Sequence, residues 1–153
     1  MTTAGKTIVR LDPLFDAELQ YQHEAEALVP ADGREGQLAG SGDGVVTGAR
    51  IAGRLRWTLF EGPGELICTM QPVALIETAD GAEIRFEARG YGRRPTATDR
   101  MWSVAAALRF DTEDVRYRWL TQLVGVWEGE FDAASGRARY RAFIPTFDSD
   151  AAQ

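Results

Sequence analysis

Alternation between apolar and polar residues runs through most of the chain, and its period of two residues predicts β-strands. A prominent aromatic example is 117–132, YRWLTQLVGVWEGEFD, in which Tyr117, Trp119 and Trp127 fall on one face. Gly125 shares that face and leaves room for a close approach or a bend. We therefore predict one long strand over 117–132 whose aromatic face points to the main core or to a ligand cavity.

The most regular alternation lies at 14–28, where Leu19, Tyr21 and His23 fall on the apolar side. The single histidine of the chain is therefore predicted to point inward. Glycines recur every few residues over 36–53. Because the basic residue and helix of a phosphate-binding loop do not follow them, bulges and tight bends at a barrel corner are favoured.

Further alternating stretches predict the remaining strands, at 50–60, 65–71, 73–77, 82–92, 102–110 and 137–144. Their inward faces carry Trp57, Cys68, Met70, Trp102 and Tyr140. Turn chemistry separates these strands at 61–64, 78–81 and 133–136. Pro72 cannot donate to a strand ladder, so it predicts an edge or a bulge.

Two of these strands leave an alternative open. In 82–92 the apolar face is favoured as the inner one, which sends Glu87 and Arg89 to solvent. The opposite assignment would make this charged pair a ligand anchor at a cavity mouth, and both residues are kept as ligand-binding candidates. The run 102–110 alternates as a strand but, being rich in alanine, also fits one short helix.

The pattern amounts to about eight to ten strands with short turns and no convincing long helix, which predicts an all-β sandwich or closed barrel. The aromatic inner faces favour a closed antiparallel barrel that holds packed side chains or one small ligand. The 153 residues fit a single domain, 1–153, with a core at about 11–145 and a frayed tail after Pro145.

The net charge and the low counts of cysteine and histidine argue against several classes of function. The net charge is −6 and the pI is near 4.8, which disfavours nucleic acid as a partner. One cysteine excludes an internal disulfide, one histidine excludes a multi-histidine metal site, and we expect neither a metal nor a nucleotide cofactor. The chain has no apolar run long enough to span a membrane and no signal-peptide pattern, so a cytoplasmic location without membrane partners is expected.

A family resemblance is carried by LDPLFDAELQY, GARIAGRL, LIETADGAEIRFEARG and YRWLTQLVGVWEGEF. Together these segments resemble the small bacterial and fungal proteins grouped as domain of unknown function 3237. The resemblance extends over about 11–144 and is most specific at 78–82 and 117–120. It implies a lipocalin-like β-barrel that is often dimeric, so a homodimer is expected. Most members have no assigned activity.

Departures from the family pattern bear on the ligand. Where members commonly carry an aspartate and an arginine two residues apart, this chain has Cys68 and Met70, and where they carry an asparagine after Trp-Leu it has Thr121. A charged pair facing the cavity is thus replaced by soft, apolar side chains. The difference favours a more hydrophobic ligand.

The predicted interior combines apolar walls with a few polar groups, which is typical of small-molecule sites. Its wall candidates are Trp57, Cys68, Met70, Trp102, Trp119, Trp127 and Tyr140. Plain core packing is the alternative for each ring. However, a dry core offers few hydrogen-bond partners for the hydroxyl and N–H groups of so many aromatic side chains.

His23 is the sharpest catalytic candidate, because a histidine moves protons near neutral pH. Tyr21, Tyr117 or Tyr140 would polarise or protonate a substrate oxygen opposite it. The alternative is a core histidine that is hydrogen-bonded to backbone. Cys68 has no thiolate-stabilising neighbour in the sequence and is interpreted as a small buried hydrophobic residue.

Three hypotheses follow. The favoured one is a cofactor-independent lyase, isomerase or cyclase that acts on a hydrophobic, aromatic or polyketide-like molecule in the barrel interior. The second is a non-catalytic carrier or sensor of the same ligand class, and the third is a structural dimer module with a filled barrel. One inward ionisable residue among aromatic side chains favours the enzyme.

Overall fold

The computed structural model describes residues 8–22, 29–30, 38–62 and 64–147. Within them the chain forms nine strands: β1 Val9–Tyr21, β2 Val29–Pro30, β3 Leu38–Thr47, β4 Gly53–Gly62, β5 Ile67–Thr78, β6 Glu83–Arg93, β7 Met101–Asp111, β8 Val124–Asp132 and β9 Arg137–Phe147. A 3₁₀-helix, η1, spans Arg118–Gln122. No helix in this part of the chain is long and apolar enough to cross a membrane.

All the strand pairs are antiparallel, and the sheet order is β1-β9-β8-β7-β6-β5-β4-β3-β2. Pairing of β1 with β3 closes eight of these strands into a barrel. The two residues of β2 extend the other part of β3, where Val29 pairs with Ala39. The predicted closed antiparallel barrel of eight to ten strands is confirmed.

The alternation of buried and exposed residues shows that the alanine-rich run 102–110 is a strand. In β7 every second residue is buried, from Trp102 to Phe110, and its neighbours on the chain are exposed. A helix would spread these apolar side chains around its circumference, whereas a strand puts all of them inside. The strand prediction is confirmed and the short-helix alternative is wrong. In β6 the same rule places Phe86 inward and sends Glu87 and Arg89 to solvent.

The predicted long strand over 117–132 is wrong in its first part. Residues 112–123 form an irregular connection with η1, and β8 begins only at Val124. Leu120, which would lie on the opposite face of such a strand from Trp119, is fully buried in η1. The turn before η1 is held by Asp114, whose carboxylate accepts hydrogen bonds from the backbone N–H and the guanidinium of Arg116. These local bonds compete with the strand ladder.

Proline positions also differ from expectation. Pro72 lies inside β5, between β4 and β6, and is therefore not on an edge. The pairing with β6 pauses there, yet Met70 opposite Gly90 and Val73 opposite Glu87 keep one register, so there is no bulge. A true register shift occurs in β1 between Pro13 and Phe15.

The two chain ends that the structure describes pair with each other. β9 continues past Pro145 to Phe147, which pairs with Val9, so the prediction of a frayed tail is wrong for 146–147. Residues 148–153 lie outside the described part. The predicted turns at 78–81 and 133–136 are confirmed, and each contains a glycine with positive φ, at Gly81 and Gly136.

The barrel interior has two halves of different composition. The lower half ends where β3 finishes at Thr47 and where 112–123 crosses the barrel. It is filled by large side chains that are at most 1% exposed, including Leu55, Ile76, Ile84, Phe86 and Leu108. The upper half ends where β1 finishes at Tyr21 and β4 at Gly62, and it contains most of the buried aromatic residues with polar tips.

Candidate functional site

The upper half of the barrel contains a small apolar cavity. Its volume is about 20 Å³, room for roughly one water molecule. Strands β1, β4, β5, β7, β8 and β9 contribute its walls: Leu19, Tyr21, Leu55, Trp57, Leu59, Met70, Pro72, Ala74, Val104, Ala106, Trp127 and Tyr140. The predicted inward positions of Tyr21, Trp57, Met70, Trp127 and Tyr140 are thereby confirmed, and these side chains border one shared space.

Ring contacts organise the wall into two groups. Tyr21 meets Trp57 edge-on with ring centroids 4.4 Å apart, and it also contacts Phe131 at 4.5 Å. Trp127 stacks on Tyr140 at 4.5 Å with an interplanar angle of 25°. Offset and edge-on contacts of this kind add stability beyond the burial of ring area. The rings therefore hold the wall in a defined arrangement.

Glycine at position 42 makes this arrangement possible. Gly42 faces Trp57 across β3 and β4. A Cβ at this position would lie 2.4 Å from Cζ2 of Trp57 and 2.4 Å from the carbonyl oxygen of Gln20. The backbone oxygen cannot move aside cheaply, so any side chain here would displace the indole from the cavity wall.

Two indole nitrogens stand out electrostatically. Nε1 of Trp57 and Nε1 of Trp127 are buried and have no hydrogen-bond partner in the part of the chain that the structure describes. The two side chains are only 6% and 4% exposed, and both border the cavity. An unsatisfied buried N–H costs roughly 1–3 kcal/mol, so native proteins seldom retain one without a reason. Two donors on one apolar wall fit a ligand that presents an acceptor oxygen.

Four acidic side chains gather at the upper end beside the cavity: Tyr21, Glu61, Cys68 and Tyr140. Burial raises the pKa of all four, and the thiol of Cys68, whose pKa rises to about 11, donates a hydrogen bond to Glu61. Negative charge on one member raises the pKa of others, as Glu61 and Cys68 do for Tyr21 and Tyr140. Both phenols therefore stay protonated near neutral pH and are proton donors.

Glu61 is a candidate that the sequence analysis missed, because residues 61–64 were interpreted as a turn. β4 continues to Gly62, and its inward series Leu55, Trp57, Leu59 extends by one more step to Glu61. The same alternation, carried two residues further, would have found it.

Tyr117 and Trp119 are not part of this cavity. They lie on the connection between β7 and β8, at the lower end, whereas Tyr21 is at the upper end. The hydroxyl of Tyr117 donates a hydrogen bond to Asp80 at 2.6 Å, and the guanidinium of Arg50 lies over the Trp119 ring at 3.7 Å. The prediction that Tyr117 and Trp119 join the other candidates is wrong, because 117–123 does not continue β8.

Among the remaining predicted site residues, some lie at the upper end near the cavity and others do not. Glu87 and Arg89 are exposed on the outer face of β6, so the assignment that would bring them to the cavity is wrong. Trp102 and Cys68 are buried at the upper end, where the guanidinium of Arg94 covers the Trp102 ring at 4.4 Å. Thr121 is exposed. His23 lies outside the described residues.

In the described ranges, no three histidine, cysteine, aspartate or glutamate side chains converge as metal ligands do. The upper cluster contains one carboxylate, one thiol and two phenols, which is a proton-donating set with a single good acceptor. These groups are able to donate and accept hydrogen bonds and protons.

Comparison by sequence gives no relatives. No family model matches the chain. No curated protein matches it either.

Comparison by structure gives clear matches at low identity. A β-barrel-like protein from Acinetobacter baumannii AYE has a TM-score of 0.77 at 17% identity, and the match covers 94% of this chain and 100% of that one. A protein of unknown function from Clostridium acetobutylicum has a TM-score of 0.70 at 16% identity, with 90% and 99% covered. An enzyme from Penicillium herquei has a TM-score of 0.55 at 18% identity, with 94% and 98% covered. The chain thus shares its barrel fold with proteins that are 16–18% identical to it in sequence.

Proposed function

We propose that the protein is a cofactor-independent enzyme, a lyase, isomerase or cyclase, that acts on a hydrophobic aromatic or polyketide-like molecule in the upper half of the barrel. The observation that carries the proposal is a pair of indole N–H groups, of Trp57 and Trp127, that have no partner among the described residues and lie on the wall of one apolar cavity. Mostly apolar walls with a few polar groups are characteristic of small-molecule sites.

The chemistry follows from the donors. A carbonyl oxygen of the ligand would accept hydrogen bonds from the indole N–H groups of Trp57 and Trp127. Donors fixed in a dry site stabilise negative charge that develops on such an oxygen, as in enolate formation. His23, two residues beyond Tyr21 in the sequence, is the proposed base that takes the proton from carbon as the enolate forms. Tyr21 and Tyr140 are the proposed donors that return a proton to the intermediate, and burial, which raises their pKa values, keeps them protonated until that step.

The size of the cavity sets a condition on binding. A space of about 20 Å³ does not hold an aromatic ring, so side chains must move when the ligand enters. Met70, with three rotatable bonds and a place on the wall, is suited to such movement. The protein of this fold from Penicillium herquei is called an enzyme, so the fold is compatible with catalysis.

A non-catalytic carrier of the same ligand class is the second candidate function, and the dominance of apolar residues on the wall favours it. Carrier and enzyme differ only in turnover. Saturable binding without conversion of any compound would leave the carrier as the better description.

The experiment is a calorimetric screen of aromatic and polyphenolic carbonyl compounds against the wild type, with each mixture analysed for products by mass spectrometry. Trp57→Phe and Trp127→Phe should each weaken binding of carbonyl compounds about tenfold, the equivalent of one hydrogen bond or about 1.4 kcal/mol. Trp119→Phe is the matched control at the lower end and should bind like the wild type. Absence of binding by every compound would refute the proposal and favour the filled barrel.

A test of the catalytic step uses Tyr21→Phe. This substitution removes one hydroxyl and keeps the ring that contacts Trp57. Conversion should fall at least a hundredfold while binding changes little. Equal conversion by the variant and the wild type would remove Tyr21 from the mechanism.

A further inference from the structure

The half-buried side chain of Glu61 at the upper end suggests what kind of ligand the cavity takes. We propose that Glu61 anchors a hydroxyl group of the ligand, which is therefore a hydroxylated aromatic carbonyl compound with its carbonyl at Trp57 and Trp127 and its hydroxyl at Glu61. The inference rests on the proposed function, since it needs the carbonyl end of the ligand to lie in the cavity.

The placement of Glu61 follows from the β4 register. Glu61 pairs with Met70 on β5, and Met70 borders the cavity. Trp57 lies on the same inward face four residues earlier, about 13 Å along the strand at the usual rise per residue. Side chains of this length that lean toward each other leave a span that a two-ring molecule with polar groups at opposite ends can bridge. Glu61 is half-buried, at the rim of the barrel, whereas Trp57 is buried.

The partners of Glu61 leave its carboxylate with capacity to accept. Its side chain accepts a hydrogen bond from the thiol of Cys68, a weak donor. Within the described residues, no lysine or arginine forms an ion pair with Glu61. An ionised carboxylate accepts up to four hydrogen bonds and donates none. A ligand hydroxyl is the neutral group that complements it, and hydrogen bonds to a charged acceptor are the strong ones.

Three two-ring probes separate the two ends of the site. 6-Hydroxy-1-tetralone has both the carbonyl and the hydroxyl, 6-methoxy-1-tetralone lacks the donor, and 5,6,7,8-tetrahydro-2-naphthol lacks the carbonyl. Affinities are measured by calorimetry with the full chain. The wild type should bind the hydroxy ketone at least ten times more tightly than the methoxy ketone. Glu61→Gln should remove most of that preference, and Glu65→Gln, an exposed carboxylate in the same hairpin, should keep it.

The outcomes distinguish failure of this inference from failure of the proposed function. Equal affinity of the wild type for the two ketones would overturn the role of Glu61, and so would loss of the preference in Glu65→Gln. In both cases ketone binding that depends on Trp57 would leave the cavity proposal standing. Failure of all three probes to bind would overturn the cavity proposal and the inference together. Equal affinity of the wild type for the two ketones is measured without a variant, so the inference can be overturned even if Glu61→Gln does not fold.

Discussion

Cys68 is a direct probe of the upper end, because its reactivity depends on the groups that border the cavity. The thiol is 4% exposed, and burial, followed by the charge of Glu61, raises its pKa to about 11. Alkylation requires the thiolate. At pH 8 the thiolate fraction at such a pKa is about one in a thousand, compared with roughly a quarter for an ordinary thiol. The intrinsic rate at pH 8 should therefore be about a hundredfold or more below that of an ordinary cysteine.

The assay is the rate of iodoacetamide alkylation, followed by mass spectrometry of the folded protein between pH 7 and pH 10. Burial slows alkylation at every pH, so the shape of the profile carries the test rather than the absolute rate. For Cys68 the rate should rise tenfold per pH unit without levelling off up to pH 10. The matched control is a Cys68→Ala, Thr69→Cys variant, which moves the thiol to the exposed outer face of the same strand.

In the control the rate should level off above about pH 9, because an exposed thiol has an ordinary pKa. Circular dichroism at each pH verifies that the barrel stays folded. A plateau near pH 9 for Cys68 itself would refute the reasoning, since it would mean that neither burial nor the charge of Glu61 acts on this thiol. In Glu61→Gln, where the charge is lost, the rate at pH 8 should rise.

Two further predictions concern the stability of the lower half. Phe86→Ala should lower the free energy of unfolding by about 3–5 kcal/mol in urea denaturation, because Phe86 is 1% exposed and packs on Phe110 and Trp127; a loss below 1 kcal/mol would contradict this packing. Hydrogen bonds from Arg116 lower the pKa of Asp114 to about 2, so its stabilisation is present above about pH 4 and lost as the pH falls from about 4 to 2. Thermal unfolding should accordingly show Asp114→Asn to be less stable than the wild type at pH 6 and equal to it near pH 2, and a constant difference at both pH values would exclude the linkage.

Strand positions and inner faces could be predicted because one physical signal determines both. Burial of one face of a strand imposes a period of two residues, and β7 follows it without exception from Trp102 to Phe110. The Asp80-Gly81 turn was predictable for a similar reason, since only glycine adopts the required positive φ without strain. These features depend on nearby residues alone.

Errors arose where a distant contact overrides the local pattern. Residues 117–123 alternate well enough to be a strand, but Leu120 is buried in η1 and the Tyr117 hydroxyl bonds to Asp80, 37 positions earlier. Glu61 was missed for a different reason. A charged residue before Gly62 looks like the start of a turn, although the alternation of β4 reaches it, and the pairing of Glu61 with Met70 shows that the strand continues.

The difference between the two halves of the barrel bears on which of them binds a ligand. In the lower half, the fully buried side chains are aliphatic or phenylalanine, and Tyr117, the phenol nearest to them, already donates its hydrogen bond to Asp80. In the upper half, by contrast, Trp57 and Trp127 present N–H groups that have no partner among the described residues, and each such donor carries a desolvation cost. Phenylalanine at either position would remove that cost, but it would also leave a gap where the indole was and weaken the ring contact with Tyr21 or Tyr140. On the proposed function an acceptor oxygen of the ligand satisfies both donors, so either replacement should weaken the binding of carbonyl compounds.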